Sequence, residues 1–351
     1  MENSGSSLDA LSRRRALRFL LAIPPVLFGL DSEHIAKEFG GALRNSAKGP
    51  APELITAFRA SADALFTGYY VGHAQNQVES TLSWLQEGRE VRKTARGCQR
   101  SEILEIESLG YEALSNITHP MYGDDPVVFG YANRAVRLAR DSGNAEALSV
   151  ALTRRADKAL DGFIDLAQHS VDEALQLPVQ DEHERVAQVI VAMRVFAAGA
   201  SDEQDRKRVL DLINQAHPAL SGPDTFHRRC DHDIVVIRQS EALNLLAAHA
   251  PQAQARDLLR RSSDLLLDLS PEIARRALPA KLALAQAYLG LGELDYAVTF
   301  ATEMLALMNQ LKSIIYLPQL AQIYHALHKS KLRHDPQVAR IGLYLHERGA
   351  L

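Results

Sequence analysis

Between Leu284 and Ala297 the chain reads Leu-Ala-Gln-Ala-Tyr-Leu-Gly-Leu-Gly-Glu-Leu-Asp-Tyr-Ala: the end of one helix, a glycine turn and the start of a second helix. Gly292 supplies the turn, and Ala297, five residues later, is small enough for the second helix to lie close on the first. A weaker echo repeats the spacing, with Gly162 followed at the same interval by Ala167 and then by Val171, Ala174 and Pro178. Segments 145–160 and 163–175 flank that turn as another helical pair. One pair cannot bury both of its apolar stripes, so pairs of this kind must stack on one another. The expected fold is all-α, a solenoid of about eight antiparallel helix pairs running from residue 50 to residue 351.

Punctuation along the chain agrees. Asp125-Pro126, Ser270-Pro271 and Asp335-Pro336 each place a capping oxygen before a residue preset for a first helical turn. Ser201-Asp202-Glu203-Gln204 is a capping-box candidate ahead of Val209, Leu210, Leu212 and Ile213 at helical spacing. No stretch shows clean strand alternation. Gly, Ser and Pro cluster between Gly40 and Pro52, which sets residues 1–49 apart as an N-terminal arm and linker ahead of the 50–351 repeat domain. Within the arm, Ser12-Arg13-Arg14-Arg15 and the apolar run to Leu30 imitate a twin-arginine export signal, yet the run is too short to span a bilayer. Arg18, Pro24-Pro25 and the lack of a small-x-small cleavage site favour the other reading, an amphipathic arm docked on the first helices or on a second subunit.

With 351 residues, 46% of them hydrophobic, the chain can bury a large core. A net charge of -4 gives the whole chain no attraction for a phosphate backbone, although it leaves room for a local basic patch. Cys98 and Cys230 are too few for a disulfide framework and fit a reducing cytoplasm. Trp84 is the single tryptophan, in keeping with helices packed through alanine and leucine.

Motifs for chemistry are missing. No P-loop is present, and Gly290-x-Gly292 follows a helix and lacks a third glycine, so it is no dinucleotide fingerprint. Neither H-E-x-x-H nor G-x-S-x-G occurs, and nothing around His119, His183 or His249 marks a nucleophile or a metal. The expectation is a non-enzyme without cofactor or metal. His227-Arg228-Arg229-Cys230-Asp231-His232-Asp233 has ligand-type residues, but the adjacent arginines disfavour a dication, and a polar helix start with Cys230 turned inward is the expected role. Glu102, Glu105 and Glu107 read as a solvated acidic stripe.

The segment from Leu284 to Ala297 resembles the tetratricopeptide repeat of about 34 residues. Leu284 and Ala285 stand at its Leu-Gly positions, Tyr288 at its tyrosine, Gly292 at its turn and Ala297 at its small contact residue. Lys281 replaces the usual tryptophan, Ala285 the glycine and Ala301 a large aromatic. From residue 50 onward the chain is similar to the tetratricopeptide sensor half of bacterial helix-turn-helix regulators, including the peptide-sensing regulators of Gram-positive bacteria. The arginine-rich lead with Pro24-Pro25 resembles the segment that joins a DNA-binding head to such an array. Residues 32–40 are similar to half a helix-turn-helix, but a trihelical head of about 60 residues does not fit before residue 50, so direct nucleic-acid binding is not expected.

The resemblance implies a cytoplasmic regulatory module that holds a peptide or partner protein in a concave groove, forms a homodimer and makes no membrane contact. First-of-pair helices line that groove, and their polar residues Arg154, Arg194, Arg238, Gln239, Asn244 and Gln286 are the candidate ligand contacts. Amides can bond both edges of an extended peptide, and arginines can grip a carboxylate. At each position the alternative is a solvated face with intrahelical pairs. Two other functions stay open at this point: a constitutive structural adaptor, and an all-helical enzyme with its site in the same groove.

Overall fold

The computed structural model describes residues 50, 52–71, 74–122, 126–160, 162–218, 230–271 and 274–351. The arm at 1–49, with its export-like run and its partial helix-turn-helix likeness, lies outside the described residues, as do Asp125 and His227 to Arg229. Among the described residues there are fourteen helices and no strand, and the architecture is all-α. In chain order they are α1 (Pro52–Val71), α2 (Ala74–Thr94), α3 (Gly97–Tyr122), α4 (Pro126–Ser142), α5 (Ala145–Ala159), α6 (Ile164–Leu175), α7 (Glu182–Gly199), α8 (Glu203–Gln215), α9 (His232–His249), α10 (Gln252–Leu267), α11 (Ala274–Leu291), α12 (Leu294–Leu311), α13 (Leu317–His328) and α14 (Pro336–Glu347).

Local chemistry sets the helix ends. Asp181, Asp231 and Asp335 each turn a side-chain oxygen onto a backbone N–H of the first turn, and Pro336 follows Asp335 as expected. The capping box of α8 sits one residue later than its sequence suggests. Asp202 is the cap and accepts from the N–H of Asp205, whose carboxylate accepts in return from the N–H of Ser201 at 3.0 Å. Between α11 and α12, Gly292 takes φ +81°, and two bonds close the turn, Gly292 N–H to Leu289 O and Glu293 N–H to Tyr288 O. That double closure demands a left-handed residue, which glycine adopts without a Cβ penalty.

The described residues fall into two compact units, one of residues 50–118 and 126–151, the other of 119–122, 152–218 and 230–351. In the first, Phe58 stacks on Trp84 at 4.2 Å between ring centroids, and the indole N–H donates to Ser61 Oγ at 2.6 Å. The hydroxyl of Ser108 donates to the carbonyl of Ala135 and so ties α3 to α4. The expected acidic stripe is corrected here. Glu102 and Glu105 pair with Arg59, but Glu107 is fully buried, with Arg92 Nε 3.2 Å away. Two residues on from Glu105 is about 200° around a helix, so Glu107 faces inward.

In the second unit the helices pair and stack. α7, α9, α11 and α13 touch in succession as one layer. α8 packs on α7 and α9, α10 on α9 and α11, and α12 on α11 and α13. This is a solenoid of helix pairs, with α6 laid against α7. Ala285, Ala297 and Ala301 are all fully buried where α11 meets α12. The residues that depart from the repeat pattern have found substitutes: Phe300, beside Ala301, stacks on Tyr288, and Lys281 lies over the Phe300 ring while pairing with Glu303 at 2.7 Å. Within this unit, Ile314, in the loop after α12, donates its N–H to the carbonyl of Pro120 at 2.9 Å.

Candidate functional site

Three helices of the second unit converge their charged residues. α5 supplies Asp157 and Lys158 in its last turn, α7 supplies Arg194, and α9 supplies Arg238 and Glu241 one turn apart. Arg194 donates to Asp157 through Nη1 and sets its Nε 2.7 Å from Glu241. Arg238 donates to Glu241 at 2.8 Å and lies 3.8 Å from Asp157, as does the Lys158 ammonium. These side chains are mostly withdrawn from water, from 11% exposed at Arg194 to 22% at Arg238.

Burial and charge compete at each group. Burial by itself would lift the Asp157 carboxyl, but Arg238, Arg194, Lys158 and Arg154 outweigh it and hold the acid well below the usual carboxylate range. Burial lowers Lys158 to about 8, against the attraction of Asp157 and helped by three arginines. Arg238 runs the other way, since Glu241 and Asp157 raise it further despite burial. Tyr316, which caps α13, is raised by burial and by Glu241. His119, at the end of α3, is pushed down to about 3 by burial and then by Lys158. Three cations, Lys158, Arg194 and Arg238, thus face two carboxylates, Asp157 and Glu241, and the cluster carries surplus positive charge.

Of the six residues proposed from sequence, the structure brings Arg194 and Arg238 together in this network. Arg154 lies one turn before Asp157 and acts on its charge. Gln239 faces elsewhere, donating to the carbonyls of Ile213 and Ala216 at 2.8 and 3.0 Å and closing the end of α8. Asn244 donates to the carbonyl of Ala283 on α11 at 2.8 Å, while its buried Oδ1 has no hydrogen-bond partner among the described residues. Gln286, one turn on from Ala283, is half-buried. Asp157, Lys158, Glu241 and Tyr316 were missed. The i,i+3 pair Arg238 and Glu241 and the run from Arg154 to Lys158 were the available signals.

At the metal-like cluster, Cys230 is buried, its thiol is pushed up to about 12 by burial, and Sγ donates to the carbonyl of His183. Asp231 caps α9 and receives Arg276 at 2.6 Å. Among the described residues no group of three or more His, Cys, Asp or Glu could hold a metal ion, and no helix is long and apolar enough to cross a membrane. A scan of the chain against protein-family models found no match, and a search of curated proteins found no significant relative. The likeness to tetratricopeptide sensors accordingly rests on the residues themselves.

Proposed function

We propose that the chain is a regulatory binding module of tetratricopeptide type, taking an extended peptide or a segment of a partner protein along the layer formed by α7, α9, α11 and α13. The reading places it in cytoplasmic regulation or signalling, with no chemistry performed on the ligand. The observation that carries it is the cation surplus at Asp157, Lys158, Arg194, Arg238 and Glu241, which suits a carboxylate of the ligand. Arg238 is the most exposed of these groups and is its first contact.

A thermal-shift screen against peptide fractions of a cell extract tests this, because a ligand that binds the folded state alone raises the melting temperature. The expected result is at least one fraction that shifts the wild type and leaves Arg238→Glu unmoved. Absence of any shift overturns the sensor reading. A constitutive adaptor is the second reading, favoured by a specific observation: Arg194, Gln239 and the Asn244 amide nitrogen already have partners within the chain. An adaptor captures a partner with no ligand present, and the peptide fractions leave its melting temperature where it was.

A further inference from the structure

On α4, residues 127, 130, 131, 134 and 137 recur at helical spacing and form one stripe. With Arg89 of α2 and Tyr111 of α3, that stripe lines an open cleft of about 590 Å³ in the first unit. Arg89, Arg134 and Arg137 border it, and no acidic residue does. This is a local concentration of positive charge on a chain whose net charge is -4.

The three guanidinium groups are held to different degrees. Arg89 donates to the Tyr111 hydroxyl and lies 5.8 Å from its ring centroid. Arg134 lies 6.0 Å from the same centroid, and its buried Nε has no hydrogen-bond partner among the described residues. Arg137 is exposed and has no ion pair or hydrogen bond among them. Beneath the cleft, the buried carboxyl of Glu107 feels Arg92, Arg89, Arg134 and Arg100, so one acid answers four arginines. Positive charge is left over, with free guanidinium edges to deliver it.

We propose that this cleft binds a small aromatic phosphate ester. Guanidinium forks match a phosphate bidentately, and a dianion answers the excess of cations better than a carboxylate does. The remaining lining suits a flat apolar body: Val127 is half exposed, Tyr131 lies 6.2 Å from Tyr111 between centroids, and Gly130 leaves the floor open. The volume suits a small molecule and is far larger than bare phosphate requires. A Cβ added at Gly130 meets nothing within 4 Å, so the backbone there has room for a side chain.

Calorimetric titration of the full chain with phenyl phosphate, next to inorganic phosphate and benzoate, tests the site. Saturable binding is expected for phenyl phosphate, at least roughly tenfold tighter than for either comparator. Arg137→Glu removes a free cation and is expected to weaken it by roughly tenfold or more. Gly130→Leu occludes the floor and is expected to abolish binding without lowering the melting temperature, since leucine is the better helix former. Because the second phosphate ionisation lies near pH 6, affinity should also fall as pH is lowered through it. Failure of phenyl phosphate to saturate, or binding unchanged in both variants, overturns the proposal. Equal affinity for benzoate overturns the preference for a dianion, and equal affinity for inorganic phosphate overturns the aromatic part.

Discussion

Arg194 sets its guanidinium Nε 2.7 Å from the carboxylate of Glu241, joining α7 to α9, while the same group reaches Asp157 on α5. One side chain thus ties together three helices that carry no common sequence motif. The three groups are 11 to 15% exposed. At that depth the attraction between charges is offset by the cost of withdrawing each from water, so the intact network adds little net stability. What it supplies is intolerance of any missing member.

Arg194→Met removes the shared cation and leaves Asp157 and Glu241 facing each other with Arg238 and Lys158 in partial compensation. A loss of about 3 kcal/mol in unfolding free energy is expected, the scale for breaking a buried pair from one side. Urea unfolding measures it, and the double variant Arg194→Met, Glu241→Gln should recover part of the loss, because the carboxylate that faced Arg194 Nε is gone while Asp157 still balances Arg238 and Lys158. A loss below about 0.5 kcal/mol, the range of ordinary surface changes, would show that the network is peripheral.

His119 gives the second unit a pH dependence of known sign. Its folded pKa is about 3 and its ordinary value 6.5, so between these limits the unfolded chain binds a proton that the folded chain excludes. The contribution is therefore fully present above pH 6.5 and is lost as pH falls below it, by up to about 1.4 kcal/mol per pH unit. Chemical denaturation at pH 7, 6 and 5 should show a steeper decline for the wild type than for His119→Gln. Parallel declines would place the histidine in contact with water.

What was legible in the sequence is what neighbours in sequence determine. The turn at Gly292, the pairing around Ala297 and the cap at Asp335 with Pro336 depend on residues within one or two turns, and each was found where it was expected. The cap of α8 moved by a single residue because Ser201 and Asp202 both carry a capping oxygen, and only the backbone decides between them. The partners of Arg194 and Arg238 were illegible, since Asp157, Glu241 and Tyr316 meet them only once α5, α9 and the α13 cap have packed. Glu107 departs from the acidic stripe of Glu102 and Glu105 because the helix turns it inward, which a run of acids in sequence does not reveal. The arginines at 134 and 137 were visible, but their cleft needed Arg89 and Tyr111 from two other helices.

Glu107→Gln should be tolerated at neutral pH even though the residue is fully buried. Burial raises the pKa of this carboxyl despite four nearby arginines, so the folded state favours the protonated form more than the unfolded chain does. Wild-type stability consequently falls as pH rises above about 4.5, until the folded pKa is passed. Glutamine keeps the shape and carries no charge, and Arg92, still 21% exposed, retains water contact. Thermal melts should show the variant at least as stable as the wild type at pH 7 and no more stable at pH 4. A lower melting temperature at pH 7 would mean that the buried charge stabilises the fold.

Gly110→Ala sets two effects of opposite sign against each other in the first unit. Replacing a helical glycine by alanine favours the helix by about 1 kcal/mol. A Cβ at this position would, however, lie 2.2 Å from Cζ3 of Trp84 and 2.8 Å from Cδ2 of Leu85. The indole has little room to retreat, because Phe58 stacks on it and its N–H is bonded to Ser61. Overpacking of this kind costs about 1–3 kcal/mol, and a clash this deep belongs at the upper end, so the net expectation is destabilisation by about 1–2 kcal/mol. As the single tryptophan, Trp84 reports the outcome directly: its fluorescence should follow unfolding of the first unit at a lower urea midpoint than in the wild type. An unchanged or higher midpoint would mean that helix propensity outweighs the contact and that the Trp84 pocket can yield.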